Sequence, residues 1–163
     1  MKRLLTHLFA PSSASVYPLA SLERIAAAVA AGEARHLGEI RFAVEASLTA
    51  REVLAGRDAR DRAVDVFSQL RVWDTQANNG VLIYLLLAEH SIEIVADRGL
   101  NALVSPAQWQ TIIEGLRAAL RAGEFEQGLA RAVAAVDELL QQHFPLAAGE
   151  RNPNELPDAV ILL

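Results

Sequence analysis

Three short polar segments carry side chains whose types and spacing could bind a cation or act on a phosphate ester. They are Trp73-Asp74, Asn78-Asn79-Gly80 and Asp97-Arg98-Gly99. Carboxylate, amide and backbone carbonyl oxygens are the ligands that hard cations such as Ca²⁺ and Mg²⁺ prefer. We therefore predict a divalent-cation site with ligands drawn from Asp74, Asn78, Asn79 and Asp97. If the protein is an enzyme, Asp97 and Arg98 are the candidate catalytic residues.

The same residue types also have a purely structural interpretation. Asn and Asp side chains hydrogen-bond to nearby backbone in tight turns, and the Asn-Gly pair supports a positive φ. Asp97 and Arg98 can likewise form an ion pair within their own loop. Turn formation and ligand binding therefore both remain open for residues 78–80 and 97–99.

Several well-known catalytic and metal-binding motifs are absent from the sequence. The chain has no cysteine, which excludes a disulfide scaffold, a thiolate zinc site and a cysteine nucleophile. It contains no Gly-x-Ser-x-Gly, His-Glu-x-x-His, phosphate-binding glycine loop or EF-hand loop. The histidines are too dispersed to indicate a metal cluster: His7, His36, His90 and His143. Apart from Ca²⁺ or Mg²⁺, no cofactor is expected.

Length and composition indicate one globular domain. The chain has 163 residues, of which 52% are hydrophobic and 21% charged, so it can bury a core and is not a disordered polyelectrolyte. Its formal net charge of −5 is a poor match to phosphate backbones, so we expect no nucleic-acid partner.

The apolar segments are too short for a membrane span or an efficient export signal. The longest apolar run covers residues 81–88, well below the ~20 residues that a spanning helix needs. Residues 2–5 resemble the start of a secretory signal, but His7 interrupts the apolar segment of about 7 to 15 residues that such a signal requires. We expect a cytoplasmic protein, with export less favoured and peripheral membrane contact left open.

The hydrophobic pattern predicts three strands that form a mixed sheet. Residues 39–48 alternate in polarity, residues 81–87 are apolar on both faces, and residues 92–96 alternate again after a short turn. The connection between the first two strands contains a helix, which favours parallel pairing, whereas the short turn makes the third strand antiparallel. The predicted fold is α/β, a three-layer α/β/α sandwich with a mixed central sheet.

Four helices are predicted to cover this sheet. Ser21, Asp58 and Ser105 are the expected capping residues of three of them, and the fourth begins near Phe125. The two tryptophans are expected in the core: Trp73 and Trp109. We divide the chain into an N-terminal arm at 1–20, an α/β/α domain at 21–145 and a C-terminal tail at 146–163.

The predicted topology brings the polar segments together. The starts of two parallel strands and the end of an antiparallel third strand lie at one edge of a sheet. Residues 74–80 and 97–99 should therefore lie side by side, together with His36 and Glu39.

The order of motifs resembles the TPM domain family, which includes plant thylakoid-lumen proteins, photosystem II repair proteins and a nematode receptor-modulating protein. The similar segments are 67–74 (FSQLRVWD), 78–83 (NNGVLI), 95–100 (VADRGL) and 121–128 (RAGEFEQG). They follow one another at the distances typical of the family, and the similarity covers about residues 21–145.

The resemblance implies an α/β/α sandwich, divalent-cation binding near the Asn-Gly turn, and the acid phosphatase activity proposed for plant members. By motif, Asn79 and Gly80 match the family's turn before its central strand, and Gly99 matches the glycine after the third strand. Many relatives have an acidic residue at the start of the first helix, where this chain has Ser21. Relatives are also commonly exported and tethered to membranes, which the features of this chain do not favour.

Two functions of different classes follow from these observations. The first is a non-enzymatic binding module that recognises a protein partner and holds a divalent cation weakly at the Asn-Asn-Gly edge. The alternative is a metal-assisted acid phosphatase of phosphomonoesters, in which Asp74, Asn79 and Asp97 hold the cation and Arg98 neutralises phosphate charge.

Overall fold

The computed structural model describes residues 2–10, 12 and 18–163. In this part of the chain the helices are α1 (Lys2–Leu8), α2 (Leu19–Glu33), α3 (Ala50–Leu54), α4 (Ala59–Gln69), α5 (Pro106–Arg121) and α6 (Phe125–His143). The strands are β1 (Glu39–Glu45), β2 (Gly80–Leu86), β3 (Ser91–Ala96) and β4 (Ile161–Leu162). Short 3-10 turns occupy Leu87–Glu89 and Arg98–Leu100.

The strands form one mixed sheet in the order β3-β2-β1-β4. β1 pairs in parallel with β2, and β2 pairs antiparallel with β3, as the sequence predicts. β1 is shorter than the predicted 39–48 because its ladder with β2 ends where Glu45 faces Leu86. Beyond that pair, the chain of β2 turns into Leu87–Glu89, and one backbone bond, from the Ala88 N–H to the Ala46 carbonyl at 3.0 Å, follows the ladder.

The two faces of the sheet each bury a separate hydrophobic core, which confirms the three-layer sandwich. Alternate residues of β2 point to opposite faces, because side chains alternate along a strand. Ile83 joins the core beneath α2, α5 and α6, whereas Tyr84 joins the core beneath α3 and α4. β2 is buried along its whole length, which explains why its sequence is apolar without alternation.

Of the three predicted capping residues two are correct and one is wrong, and the fourth helix begins at Phe125 as predicted. Asp58 caps α4 by accepting a hydrogen bond from the Asp61 backbone N–H at 2.8 Å, and Ser105 forms the expected capping box with Gln108. Ser21 does not cap α2, because that helix already begins at Leu19 after Pro18. Ser21 instead lies inside the helix and donates to Glu126 Oε2 at 3.0 Å.

The last residues of the chain extend the sheet. Ile161 and Leu162 pair in parallel with Ala43 and Val44 of β1, and the Leu163 N–H donates to the Val44 carbonyl at 2.8 Å. The segment 161–162 assigned to the tail is therefore a fourth strand, which the sequence analysis did not predict.

The prediction that both tryptophans lie in the core is wrong for Trp73. Its side chain is 50% exposed, because it lies in the turn after α4 rather than on the helix face that packs against the sheet. Trp109 is partly buried against the core beneath α5. No helix among the described residues combines the length and the apolar character needed to cross a membrane.

Candidate functional site at the edge of the sheet

The Asn-Asn-Gly turn and the Asp97 turn are joined by hydrogen bonds at one edge of the sheet. The Asp97 N–H donates to the Gly80 carbonyl at 2.9 Å, and the Gly99 N–H donates to the Asn78 carbonyl at 3.0 Å. Arg98 adds a side-chain link by donating from Nε to Asn78 Oδ1 at 2.9 Å. The two turns therefore lie beside each other, as the topology argument requires.

The glycines of these turns allow neighbouring backbone to approach closely, at Asn78 in one case and at Val72 in the other. A Cβ atom at Gly99 would lie 2.5 Å from the Asn78 carbonyl oxygen, and one at Gly80 would lie 2.0 Å from the Val72 carbonyl oxygen. The positive φ of the first turn falls on Asn78, at 53°. Asparagine tolerates this left-handed conformation, so part of the structural interpretation of the turn is correct.

Two buried oxygens at this edge lack hydrogen-bond partners. Asn79 donates from Nδ2 to the Leu37 carbonyl at 2.9 Å, but its Oδ1 accepts nothing from the described residues. Asp97 accepts the Arg98 N–H on Oδ1 at 2.7 Å, while its Oδ2 is buried and receives no hydrogen bond from that part of the chain. Buried oxygens are normally paired, so a cation or a water molecule would complete both groups.

The remaining predicted ligands are less well placed. Asp74 is exposed, and no hydrogen bond or ion pair from the described residues involves its carboxylate. Asn78 has its Oδ1 occupied by Arg98. Among residues 2–10, 12 and 18–163, no three His, Cys, Asp or Glu side chains gather closely enough to hold a metal ion. A cation at this edge would therefore depend on one carboxylate together with amide, carbonyl and water oxygens.

Glu39 and His36, also predicted at this edge, are buried and hold structure in place. Glu39 accepts the Glu155 and Leu156 N–H groups at 3.1 Å each, and burial raises the pKa of its carboxyl group. His36 lies between Asp137 and the Gly38 carbonyl, each at 3.1 Å. Both residues therefore tie distant parts of the chain to the start of β1.

A second group of charged residues, not predicted from the sequence, lies close by around Glu33. Glu33 is buried at the end of α2 and accepts the Ile40 N–H on Oε1 at 2.7 Å. Burial, reinforced by the charges of Glu39 and Asp158, raises the pKa of Glu33 to about 9. Arg41 is also buried, and burial lowers its pKa, although Asp158 and Glu33 partly oppose the shift.

The opposite edge of the sheet contains a buried ion pair and a large apolar cavity. Arg62 donates from Nε to Glu45 Oε2 at 2.8 Å, and the Tyr84 hydroxyl donates to the same oxygen at 2.8 Å. Nearby, a cavity of about 760 Å³ is bordered mainly by aliphatic side chains, with Arg117 and Arg121 at its border. In the described part of the chain, no buried side-chain oxygen at this edge lacks a hydrogen-bond partner, in contrast to those of Asn79 and Asp97.

The fold and this edge together define an α/β/α domain whose mixed sheet carries an Asn-Asn-Gly turn at the amino end of its central strand. The chain belongs to the TPM domain family, whose profile it matches over residues 15–139. None of the curated proteins is significantly similar to it in sequence.

Two solved structures share this fold. The NMR structure of the BA42 protein from the psychrophilic bacterium Bizionia argentinensis has 30% sequence identity and a TM-score of 0.75, covering 87% of this chain and 92% of that chain. The N-terminal domain of a protein from P. gingivalis has 20% identity and a TM-score of 0.64, covering 81% of each chain. The second structure supports the fold alone.

Proposed function

We propose that this TPM domain is a non-enzymatic binding module that holds a divalent cation weakly at the sheet edge that carries Asn79 and Asp97. The observation that carries the proposal is the pair of buried oxygens, Asn79 Oδ1 and Asp97 Oδ2, for which the described residues offer no hydrogen-bond donor. Both sit on turns that are fixed to each other by backbone hydrogen bonds, so their positions are set before a ligand arrives.

The chemistry of these groups suits Ca²⁺ or Mg²⁺, which prefer carboxylate, amide and carbonyl oxygens. Asp97 is the one carboxylate on these two turns that is buried and has an oxygen without a partner among the described residues. Affinity for Ca²⁺ rises with the number of charged ligands, and sparsely charged sites bind at about 10⁻⁴ to 10⁻³ M. We therefore expect millimolar rather than micromolar binding.

Binding is favoured over metal-assisted hydrolysis because no three His, Cys, Asp or Glu side chains of the described residues gather closely enough to hold a catalytic metal ion. Arg98 links the two turns, since its Nε donates to Asn78 Oδ1 and its backbone N–H donates to Asp97.

The exposed side chain of Trp73 supports a protein partner for the same edge. Trp73 is 50% exposed and precedes Asp74 in the turn that leads to Asn78. Tryptophan is strongly enriched among the residues that dominate binding energy at protein interfaces. A partner that covers Trp73 would also lie close to the proposed cation.

The proposal is tested by titrating Ca²⁺ and Mg²⁺ into ¹⁵N-labelled protein while recording amide chemical shifts. We expect saturable shifts confined to residues 74–80 and 97–99, weakened at least tenfold by Asp97→Asn and unchanged by Glu138→Gln on the exposed face of α6. Shifts that are absent at millimolar metal, or equal in Asp97→Asn, would contradict the cation site.

A parallel assay with p-nitrophenyl phosphate at acidic pH separates binding from catalysis. We expect no hydrolysis above that of a buffer control. Turnover that disappears both with a chelator and with Asp97→Asn would instead establish the phosphatase alternative.

A further inference from the structure

A polar cavity of about 360 Å³ lies between the end of α2 and the C-terminal segment that precedes β4. One of its charged side chains, Glu33, comes from α2. The other charged and amide side chains come from the C-terminal segment: Glu150, Arg151, Asn152, Asn154 and Asp158. Residues 150–158 lie beyond the part of the chain that matches the TPM profile, residues 15–139. The C-terminal segment of this chain therefore builds most of the cavity, and neither Asn79 nor Asp97 lines it.

The most informative group in this cavity is the carboxyl of Glu33, which is 3% exposed. Its Oε1 accepts the Ile40 N–H, but no donor in the described part of the chain reaches Oε2. The carboxylate of Asp158 lines the same cavity, and its charge adds to the burial that raises the pKa of Glu33 to about 9. Glu33 therefore holds a proton at neutral pH while the cavity is empty.

The guanidinium of Arg41 does not neutralise Glu33 and Asp158 through direct hydrogen bonds. Arg41 is fixed on β1, and its Nε and Nη1 make no hydrogen bond with any described group. Three side chains with carboxyl groups line the cavity together with one arginine, Arg151, and Arg41 lies within electrostatic reach of Glu33 and Asp158. Once Glu33 is ionised, the three carboxylates outnumber the two arginines, so the cavity then favours a positively charged occupant.

We propose that this cavity is a binding site for a small organic cation, whose primary ammonium group lies between the carboxyls of Glu33 and Asp158. An ammonium group has three N–H donors and can bond to both carboxylates once Glu33 has released its proton. The volume accommodates a molecule of several heavy atoms rather than a bare ion. The three carboxyl groups that line the cavity are not close enough together to hold a metal ion, since no three acidic or histidine side chains of the described residues form such a group.

Binding of such a cation must be coupled to proton release. In the free protein Glu33 retains its proton up to about pH 9, and the ammonium group requires the ionised form. The charged groups that face Glu33 are Glu39 and Arg41 from β1 and Asp158 from the C-terminal segment. Because one proton leaves for each cation bound, the apparent affinity should rise by up to about tenfold per pH unit between pH 6 and 8.

The experiment uses n-butylammonium chloride as the probe and n-butanol as its neutral counterpart. Each is titrated into the ¹⁵N-labelled full-length chain at pH 6, 7 and 8. We expect butylammonium, and not butanol, to shift amides of residues 30–34 and 150–158 saturably, with affinity increasing with pH. Glu33→Gln should lower the affinity at least tenfold and abolish its pH dependence, whereas Glu138→Gln and Asp97→Asn should leave it unchanged.

Three results would overturn the proposal. They are equal shifts from butanol, unchanged butylammonium binding in folded Glu33→Gln, and an affinity that does not vary with pH. If Glu33→Gln does not fold, the proposal is tested by the butylammonium affinity of Asp158→Asn and by the pH dependence of the wild-type affinity. Mg²⁺ or Ca²⁺ shifting the same amides at lower concentration than butylammonium would reassign the cavity to a metal. Because Asp97 does not line this cavity, failure here is distinguishable from failure of the proposed cation site.

Discussion

The carboxylate of Glu39, the first residue of β1, accepts a hydrogen bond from the buried Leu156 N–H at 3.1 Å. A second bond of the same length joins it to the Glu155 N–H. Asn152 reinforces this attachment by donating from Nδ2 to the His36 carbonyl at 2.9 Å. The C-terminal segment is thus held against the amino end of the sheet, beside the turns that carry Asn79 and Asp97.

The first prediction concerns the stability provided by Glu39. Glu39→Ala should lower the free energy of unfolding by about 2 kcal/mol, because the buried Leu156 N–H loses its acceptor. Glu39→Gln should cost less, since its amide oxygen can still accept one of the two N–H groups. Urea denaturation measures both changes, with Glu138→Ala on the surface of α6 as a control that should shift stability by less than about 0.5 kcal/mol. Equal stability of Glu39→Ala and wild type would contradict the structural role of Glu39.

The second prediction concerns the pH dependence of stability. Burial raises the pKa of Glu33 from 4.5 to about 9, so the folded state binds its proton more tightly than the unfolded state does. The stability contributed by this group is complete below about pH 4.5 and decreases as the pH rises toward 9. Between pH 5 and 7 the loss should be on the order of 1 to 3 kcal/mol.

Glu33→Gln provides the comparison for this prediction, because glutamine keeps an acceptor for the Ile40 N–H and cannot ionise. Urea unfolding at pH 5, 6, 7 and 8 should show a shallower decline for the variant, which becomes the more stable protein at pH 8. Parallel pH profiles for both proteins would show that Glu33 is ionised at neutral pH.

The parts of the fold that were predicted correctly depend on local patterns. The uninterrupted apolar sequence of β2 predicts a central strand, and the short turn before β3 leaves no alternative to a hairpin. Those two features also bring Asp97 beside Asn78, so the location of the candidate site follows from strand direction alone.

The cluster around Glu33 could not be predicted in this way. The sequence pattern around Glu33 indicates a solvent-exposed residue near a helix end. Arg41 falls on the polar face of a strand with alternating polarity, which also indicates exposure. All seven residues of β1 are in fact buried. Asp158 reaches them only because the chain after α6 returns to the sheet edge, a long-range contact that hydrophobic periodicity does not reveal. The exposure of Trp73 could not be predicted either. Its apolar neighbours keep the spacing of a helix face beyond Gln69, where α4 ends.

The third prediction uses two helical glycines with opposite surroundings. A Cβ atom at Gly32 would lie 2.0 Å from Asp137 Oδ2, and Asp137 is itself held by buried His36. At Gly115 a Cβ atom would meet nothing within 4 Å. Gly115→Ala should therefore stabilise the protein by about 0.5 to 1 kcal/mol through helix propensity.

Gly32→Ala should destabilise the protein by roughly 1 to 3 kcal/mol, because Asp137 must move away from His36 to admit the methyl group. Thermal and urea unfolding of both variants measure the two changes. A stabilising effect of Gly32→Ala would show that the contact between Asp137 and His36 is readily rearranged.

The last prediction concerns the protection of β1 by the end of the chain. β4 covers β1 at Ala43 and Val44, and Leu163 closes the pairing through its bond to the Val44 carbonyl. Removing residues 159–163 would expose unpaired backbone groups beside a buried, hydrophobic strand, which is a surface that promotes association between sheet edges. We expect the shortened chain to lose on the order of 2 kcal/mol of stability, because several hydrogen bonds and contacts of Ile161 disappear. It should also form dimers or larger species in light scattering after size exclusion. Leu162→Ala keeps the backbone pairing and should elute as the wild type does. If Leu162→Ala and the shortened chain associate equally, the association comes from lost side-chain packing rather than from an uncovered sheet edge.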